Sequence, residues 1–406
     1  MTNRARHWNP TSVTLPSPAW GTRALVIGFL LMVFAMQSLQ GQAFTLLYSF
    51  TGGADGEYPY GVLLWADGTL YGTTYEGGRS NYGTVFAINA GGKEAVLHSF
   101  TGMPDGAYAY AGLIRDSQGN LYGTTDRGGT ADGGTVFELD STGDETVLYS
   151  FCSEQYCDDG AGPDTDLIRD AQGNLYGTTI GGGNCCGTVF RLDATGTETV
   201  LYSFGFFDGY PAYATLVRDE AGNFYDTTVY GGSVDCSYFY VVNCGSVFQL
   251  TPTGKFTVLY SFTGTPDGQF PYAGLLAGNN GSFYGTTSAG GTYGAGTVFE
   301  LDRDGKETVL HSFGGTRKDG ANPVAGLIRD GHGNLYGTTL YGGTHNMGAV
   351  YQLSRRGKLT VLHSFKGIDG EDPFAGLVMD GAGALYGTTT LGGVSGAGTV
   401  FKITPE

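Results

Sequence analysis

A five-residue motif, Leu-Tyr-Gly-Thr-Thr or a close variant of it, occurs seven times along this chain of 406 residues. Successive copies are 49 to 59 residues apart, and their tyrosines are Tyr71, Tyr122, Tyr176, Tyr225, Tyr284, Tyr336 and Tyr386. A repeat of about 50 residues without helical periodicity is typical of β-propeller blades. We therefore expect one repetitive domain rather than two or three unrelated ones.

Each repeat contains four runs of strand length, separated by glycine-containing turns. In the second repeat these runs are residues 111–116, 120–125, 134–139 and 146–151. Each has about six residues, the usual length of a β-strand, and carries apolar side chains on both faces, as a strand covered on both sides does. The sequence thus predicts an all-β fold, a seven-bladed β-propeller with four-stranded blades.

The two ends of the repeat region complement each other. The seventh copy stops after its third run, at residues 398–404, and has no fourth run. Residues 44–50 carry that missing run, Phe-Thr-Leu-Leu-Tyr-Ser-Phe, before the first copy begins. We predict that residues 44–50 form the outer strand of the seventh blade, because this pairing closes the ring and removes an exposed edge.

The repeat resembles the GloVer (Gloeo_Verruco) tandem repeat of exported bacterial proteins. In the second copy the resemblance is carried by residues 121–125, Gly128-Gly129, residues 134–137 and residues 147–151. It extends over essentially all of residues 44–403. It implies a β-propeller-like fold and export, and it supplies no catalytic or ligand-binding residue.

The first 43 residues have the organisation of a secretory signal peptide: basic residues, a short apolar run and small residues before the cleavage point. The basic residues are Arg4, Arg6 and Arg23, the apolar run is residues 24–36, and the small residues are Gly41 and Ala43. Thirteen apolar residues are too few to cross about 30 Å of hydrocarbon comfortably. We predict a signal peptide at residues 1–43, a propeller domain at 44–406, and a secreted, extracellular or cell-surface protein, with the periplasm as an alternative.

The charge balance restricts the partners. The chain has 38 acidic and 21 basic residues, and its net charge of −17 becomes −20 without the three arginines of the predicted signal peptide. Such a surface repels nucleic acid and anionic lipid, so we expect neither nucleic acid nor membrane insertion, and we expect a monomer. No cofactor is predicted. Aspartates of the seven Asp-Gly turns offer ligands for Ca²⁺, but their recurrence in every repeat favours a turn-capping role.

Six cysteines follow the predicted signal peptide, and an even number in an exported chain indicates disulfides. They are Cys152, Cys157, Cys185, Cys186, Cys236 and Cys244. Short separations favour Cys152 with Cys157 and Cys236 with Cys244. Cys185 and Cys186 then form a vicinal pair or remain thiols.

The repeats differ most in the third and fourth copies, and these differences locate the predicted binding site. Its residues are Tyr156, Asp158, Asp159, Asp164 and Asp166 in the third copy and Tyr238, Phe239 and Tyr240 in the longest loop, residues 231–244. Long loops that present aromatic side chains on a rigid scaffold are typical of binding sites. Drift of the loops followed by disulfide stabilisation gives the same pattern.

A second set of aromatic residues precedes the innermost strands. Tyr60, Tyr110, Tyr272 and Phe374 are expected near the propeller axis, where they either stack on sugar rings or pack neighbouring blades together.

No nucleophile elbow, zinc-protease motif or P-loop is found in the sequence. The leading hypothesis is an exported, non-catalytic recognition scaffold that binds an extracellular glycan or protein through its loop face. One alternative is a polysaccharide lyase, hydrolase or lactonase-type enzyme that uses the acids of the third copy. Another is a structural cell-surface component.

Overall fold

The computed structural model describes residues 43–404 except 212, 214, 234–242 and 317. Over these residues the chain forms seven four-stranded antiparallel sheets, the blades of a seven-bladed β-propeller, with almost no helix. This confirms the predicted fold class. No helix among the described residues is long and apolar enough to cross a lipid bilayer.

Each blade has an inner, a second, a third and an outer strand, which follow one another from the axis to the rim. Blade I contains Leu64–Ala66, Thr69–Thr74, Thr84–Asn89 and Glu94–Ser99; blade II contains Ile114–Arg115, Leu121–Thr125, Thr135–Leu139 and Glu145–Ser150; blade III contains Ile168–Arg169, Leu175–Thr179, Thr188–Leu192 and Glu198–Ser203. Blade IV contains Val217–Arg218, Phe224–Thr228, Ser246–Leu250 and Phe256–Ser261; blade V contains Leu276–Ala277, Phe283–Thr287, Thr297–Leu301 and Glu307–Ser312. Blade VI contains Ile328–Arg329, Leu335–Thr339, Ala349–Leu353 and Leu359–Ser364; blade VII contains Val378–Met379, Leu385–Thr389, Thr399–Thr404 and the N-terminal strand Ala43–Ser49.

A short two-stranded ladder and two 3-10 turns lie outside the blades. The ladder pairs Gly106–Ala107 with Arg127–Gly128. The turns are Gln155–Cys157 and Asn279–Gly281.

The inner strands are shorter than predicted. In blade II the run expected at residues 111–116 forms a strand only at Ile114–Arg115, which pairs with Tyr122 and Leu121. Neighbouring blades converge at this end of the run, and a Cβ added to Gly112 would lie 2.5 Å from the carbonyl oxygen of Val62 in blade I. The start of the run therefore packs against the next blade instead of extending its own sheet.

The N-terminal strand closes the ring as predicted. Ala43–Ser49 is the outermost strand of blade VII, beside Thr399–Thr404. The chain leaves this strand at Phe50, whose backbone N–H donates to the carbonyl oxygen of Gly398 at 3.0 Å.

The hydrophobic core lies between the blades. The phenylalanine at the end of each outer strand is fully buried and packs edge-on against an aromatic ring of the third strand in the next blade. Phe50 meets Phe86 at 5.1 Å between ring centroids, and Phe151 meets Phe190 at 4.9 Å. Each blade is therefore stabilised mainly by its neighbours.

One face of the propeller carries both the connections between blades and the loops between second and third strands. We call it the loop face. In blade II the two kinds of loop are in contact, since the N–H of Gly129 donates to the carbonyl oxygen of Asp105 at 2.8 Å.

Candidate functional site

Equivalent residues of the seven blades, at the position just before each inner strand, form a ring around the axis. We call it the axial ring, and its members are Tyr60, Tyr110, Asp164, Tyr213, Tyr272, Val324 and Phe374. Five members are aromatic, and blade III alone contributes an acid. Six of the seven, all except Tyr272, line the central cavity.

The cavity has two parts. The part at the loop face has a volume of about 490 Å³, and the deeper part, between the inner strands, has a volume of about 200 Å³. Tyr60, Tyr110, Asp164 and Phe374 line both parts and thus connect them. We call the combined space the axial funnel.

The aromatic members of the axial ring contact one another as well as the cavity. Tyr60 stacks on Tyr110, with ring centroids 4.7 Å apart and an interplanar angle of 16°. Phe374 packs edge-on against Tyr60 at 5.4 Å, and Tyr213 lies 5.9 Å from Tyr110. The first two contacts join neighbouring blades, the third joins blades II and IV, and the rings give the funnel an aromatic wall.

Asp164 is the acid of the axial ring. Its side chain is only 6% exposed, and its Oδ1 atom is buried without a hydrogen-bond partner in the described part of the chain. Burial raises the pKa of this carboxyl well above its ordinary value, and the Asp126 carboxylate raises it further. A buried polar group without a partner is costly, so Asp164 is the member of the ring that packing does not explain.

Asp126 is the second acid of the funnel, and it directly follows the second strand of blade II. The equivalent residues of the other blades are not acidic: Tyr75, Ile180, Val229, Ser288, Leu340 and Thr390. Burial raises the pKa of the Asp126 carboxyl, while Arg127, whose Nε lies 3.4 Å from Asp126 Oδ2, lowers it. The site thus contains these two interacting carboxyls and one guanidinium, and across the same cavity it contains a third carboxyl, that of Asp372, whose pKa burial raises.

Asp166 lies deeper in the funnel and links three blades. Its Oδ1 atom accepts a hydrogen bond from the N–H of Gly112 at 2.6 Å, and its Oδ2 atom accepts one from Thr215 Oγ1 at 2.8 Å. Burial raises the pKa of this carboxyl. Because both oxygens are used within the protein, Asp166 holds the inner ends of blades II, III and IV together.

The structure separates the other predicted site residues from the funnel. Asp159 is buried in its Asp-Gly turn, where its Oδ2 atom accepts hydrogen bonds from the Tyr149 hydroxyl and the Ser153 N–H, each at 2.9 Å. Tyr156, 82% exposed, and Asp158 lie at the surface of the inserted loop. Tyr238, Phe239 and Tyr240 fall within residues 234–242, outside the described residues.

Two disulfides lie on the loop face, and they join Cys152 to Cys157 and Cys185 to Cys186. Cys244 is also disulfide-bonded, whereas Cys236 lies outside the described residues. Among the residues that the structure describes, no cysteine is free.

Sequence reasoning missed Asp126 and also an exposed aromatic pair. Phe206 and Phe207, 71% and 83% exposed, lie in the connection from blade III to blade IV, with ring centroids 5.6 Å apart. Both departures are visible when the seven copies are aligned. The other copies have no acid at the position of Asp126 and no pair of phenylalanines at the position of Phe206 and Phe207.

A histidine and two acids meet between blades I and II. Ligand atoms of His98, Asp105 and Glu145 all lie within 4.8 Å of one another. A related group is found between blades II and III. There the Tyr149 hydroxyl donates a hydrogen bond to Asp159, and the charge of Asp159 contributes to the raised pKa of the Glu198 carboxyl. This recurrence assigns the group to the packing of the blades.

Two comparisons with solved structures, at TM-scores above 0.5, support the fold. The extracellular domain of a putative one-component system from B. thetaiotaomicron superposes with a TM-score of 0.53 at 13% identity, over 90% of this chain and 42% of that one. PorZ, a surface component of the type IX secretion system of Porphyromonas gingivalis, gives 0.54 at 15% identity, over 87% and 47%. This chain therefore spans less than half the length of either protein. A gluconolactonase from Xanthomonas campestris gives 0.43 at 16% identity, over 91% and 92%.

Comparison with curated proteins finds no significant sequence match. The profile of the Gloeobacter/Verrucomicrobia repeat, by contrast, matches residues 32–240 and 236–406, which together span most of the chain. Each of the seven copies of the motif forms the second strand of one blade. The chain belongs to the Gloeobacter/Verrucomicrobia repeat family.

Proposed function

We propose that this protein is an exported, non-catalytic recognition module that binds an extracellular glycan in the axial funnel. The main support is the axial ring, in which four aromatic residues, Tyr60, Tyr110, Tyr213 and Phe374, line a cavity that opens on the loop face. Binding sites for small molecules are typically concave and mostly apolar, with a few polar groups that fix orientation. The funnel has this composition, and the carboxyls of Asp126, Asp164 and Asp372 are among its polar groups.

The proposed export rests on the signal-peptide pattern of residues 1–43. The disulfides agree with it, because such bonds persist mainly in oxidising compartments.

The test is a glycan array probed with the secreted protein, followed by calorimetry on each hit. Tyr60→Ala removes a ring that lines both parts of the funnel and should weaken binding at least tenfold. Tyr293→Ala is the matched control, because Tyr293 is 61% exposed in a loop of blade V that does not line the funnel. Binding that survives Tyr60→Ala and is lost in Tyr293→Ala would place the site elsewhere.

A second candidate function, hydrolysis or elimination on a polysaccharide, is favoured by the carboxyl pair of the funnel. Asp126 and Asp164 influence each other's charge and both have a raised pKa, as general acids in enzymes often do. Incubating the protein with plant and bacterial polysaccharides, with and without Ca²⁺, tests this function. Release of products by the native protein but not by Asp164→Asn would establish an enzyme instead of a simple binding protein.

A further inference from the structure

The buried carboxyl of Asp164 is the feature of the funnel from which the ligand class can be inferred. Its carboxyl lies in the wall of the funnel, almost fully buried, and Oδ1 has no hydrogen-bond partner among the described residues. Removing such a group from water costs free energy that a hydrogen bond or an opposite charge must offset. A ligand in the funnel, which Asp164 lines, can supply an opposite charge beside this carboxyl.

The funnel has more acids than bases around Asp164. Asp126 and Asp372 add two carboxyls, and Arg127 is the cation that acts on Asp126 and Asp164 within the described part of the chain. The Arg127 side chain is 56% exposed and pairs with Asp126 at 3.4 Å. One guanidinium at the edge of the funnel therefore stands against three carboxyls, and it leaves Asp164 without an ion pair among the described residues.

Three tyrosine rings share the funnel with the Asp164 carboxyl. Tyr75 and Tyr110 line its outer part together with Asp164, and Tyr110 and Tyr213 line its deeper part together with Asp164. The faces of aromatic rings attract cations, most strongly where water is excluded. A cation beside Asp164 is thus stabilised by both the carboxylate and the rings.

From this arrangement we infer that the axial funnel is selective for glycans with protonated amino groups, such as oligomers of glucosamine, and that the ammonium group binds at Asp164. The inference rests on the proposed function, because it names the ligand class of the same site. The neutral parts of the sugar pack against Tyr60 and Phe374, while the ammonium group forms a charge-assisted hydrogen bond, which is stronger than a neutral one.

The test compares three tetramers of similar size by calorimetry: glucosamine, N-acetylglucosamine and glucose as cellotetraose. The native protein should bind the glucosamine tetramer at least tenfold more tightly than either neutral tetramer. Asp164→Asn should abolish this preference and leave the affinity for neutral tetramers unchanged. Asp158→Asn, an exposed acid of the same blade, is the matched control and should behave as the native protein does.

A second variant tests the inference even where Asp164→Asn does not fold. Asp164→Tyr places at this position the residue found in four other blades, so it should keep the native melting temperature and lose the preference for the amine. Equal binding of all three tetramers by the native protein would overturn the inference but leave glycan recognition standing. Loss of the preference in Asp158→Asn as well would show general attraction to an acidic surface, and no binding of any tetramer would overturn both proposals.

Discussion

Phe44 stacks face to face on His363, with ring centroids 3.7 Å apart and an interplanar angle of 10°. The first residue belongs to the N-terminal strand of blade VII and the second to the outer strand of blade VI. The same contact occurs within the chain between blades III and IV, where Phe256 stacks on Tyr202 at 4.8 Å and 9°. The N-terminal strand therefore makes the contacts of an ordinary outer strand.

Ring closure predicts a large effect of truncating Phe50. This residue is fully buried between blades VII and I, so Phe50→Ala should lower the free energy of unfolding by about 3–5 kcal/mol. Phe44→Glu is the control, because glutamate occupies the equivalent position in four other blades, and it should cost much less. Chemical denaturation measures both, and an unchanged unfolding midpoint for Phe50→Ala would contradict a closed ring.

Asp226→Gly should stabilise the protein. Asp226 replaces the glycine of the motif in blade IV, is fully buried, and neither carboxyl oxygen has a hydrogen-bond partner in the described residues. Replacing it should raise the free energy of unfolding at neutral pH by about 1–3 kcal/mol, the usual cost of a buried unpaired polar group.

The pH dependence of the free energy of unfolding tests whether the buried Asp226 carboxyl is the cause of this cost. Burial raises the pKa of the Asp226 carboxyl well above its ordinary value of 3.8, so the unfolded chain loses this proton at lower pH than the folded one. Native stability should therefore fall as pH rises above about 4. Asp226→Asn should remove this slope with a smaller gain in stability, and a less stable Asp226→Gly variant would refute the assignment.

Three glutamates between blades should make the protein less stable at neutral than at mildly acidic pH. Burial raises the pKa of Glu145, Glu198 and Glu307 to about 7, and a neighbouring aspartate adds to the effect in each case. Since their ordinary pKa is 4.5, each group's contribution to stability is complete below about 4.5 and is lost by about pH 7.

Thermal melts from pH 4 to 8 measure this effect. The triple variant to Gln should have a flatter profile, and Glu307→Leu, which copies the Leu359 found in blade VI, should reduce the slope by a smaller amount than the triple variant does. A native protein whose melting temperature rises steadily across this range would contradict the prediction.

The longest loop stays a candidate for ligand contact. The sequence-based prediction that this loop contacts the ligand is tested by replacing Tyr238, Phe239 and Tyr240 together with Ser. Weaker binding of a ligand identified on the array, with little change in melting temperature, would add the loop to the site in the funnel. Loss of stability with binding retained would show that these rings pack within their own loop. Retained binding that Tyr60→Ala abolishes would assign recognition to the axial funnel alone.

The architecture was predictable because it depends on a repeated local pattern. Seven copies of the motif set the number of blades, the turns set the strand boundaries to within a few residues, and the missing fourth run of the last copy placed residues 44–50. The inner strands were the exception. Their length depends on how closely Gly112 and Val62 of adjacent blades approach at the axis, and this is a tertiary distance.

The site could be predicted only in part. The unusual acids of the third copy stand out in the sequence, but their chemistry differs: Asp166 and Asp159 have their hydrogen bonds within the protein, while Asp164 does not. Asp126 gains its role from the packing of blade II against blade III, which brings its charge into the field of Asp164. The sequence by itself determined that the chain is a ring of seven blades and which blade is unusual. Only the tertiary structure decided which acid of the funnel is buried without a partner, because burial and hydrogen bonding depend on side chains that adjacent blades bring to the axis.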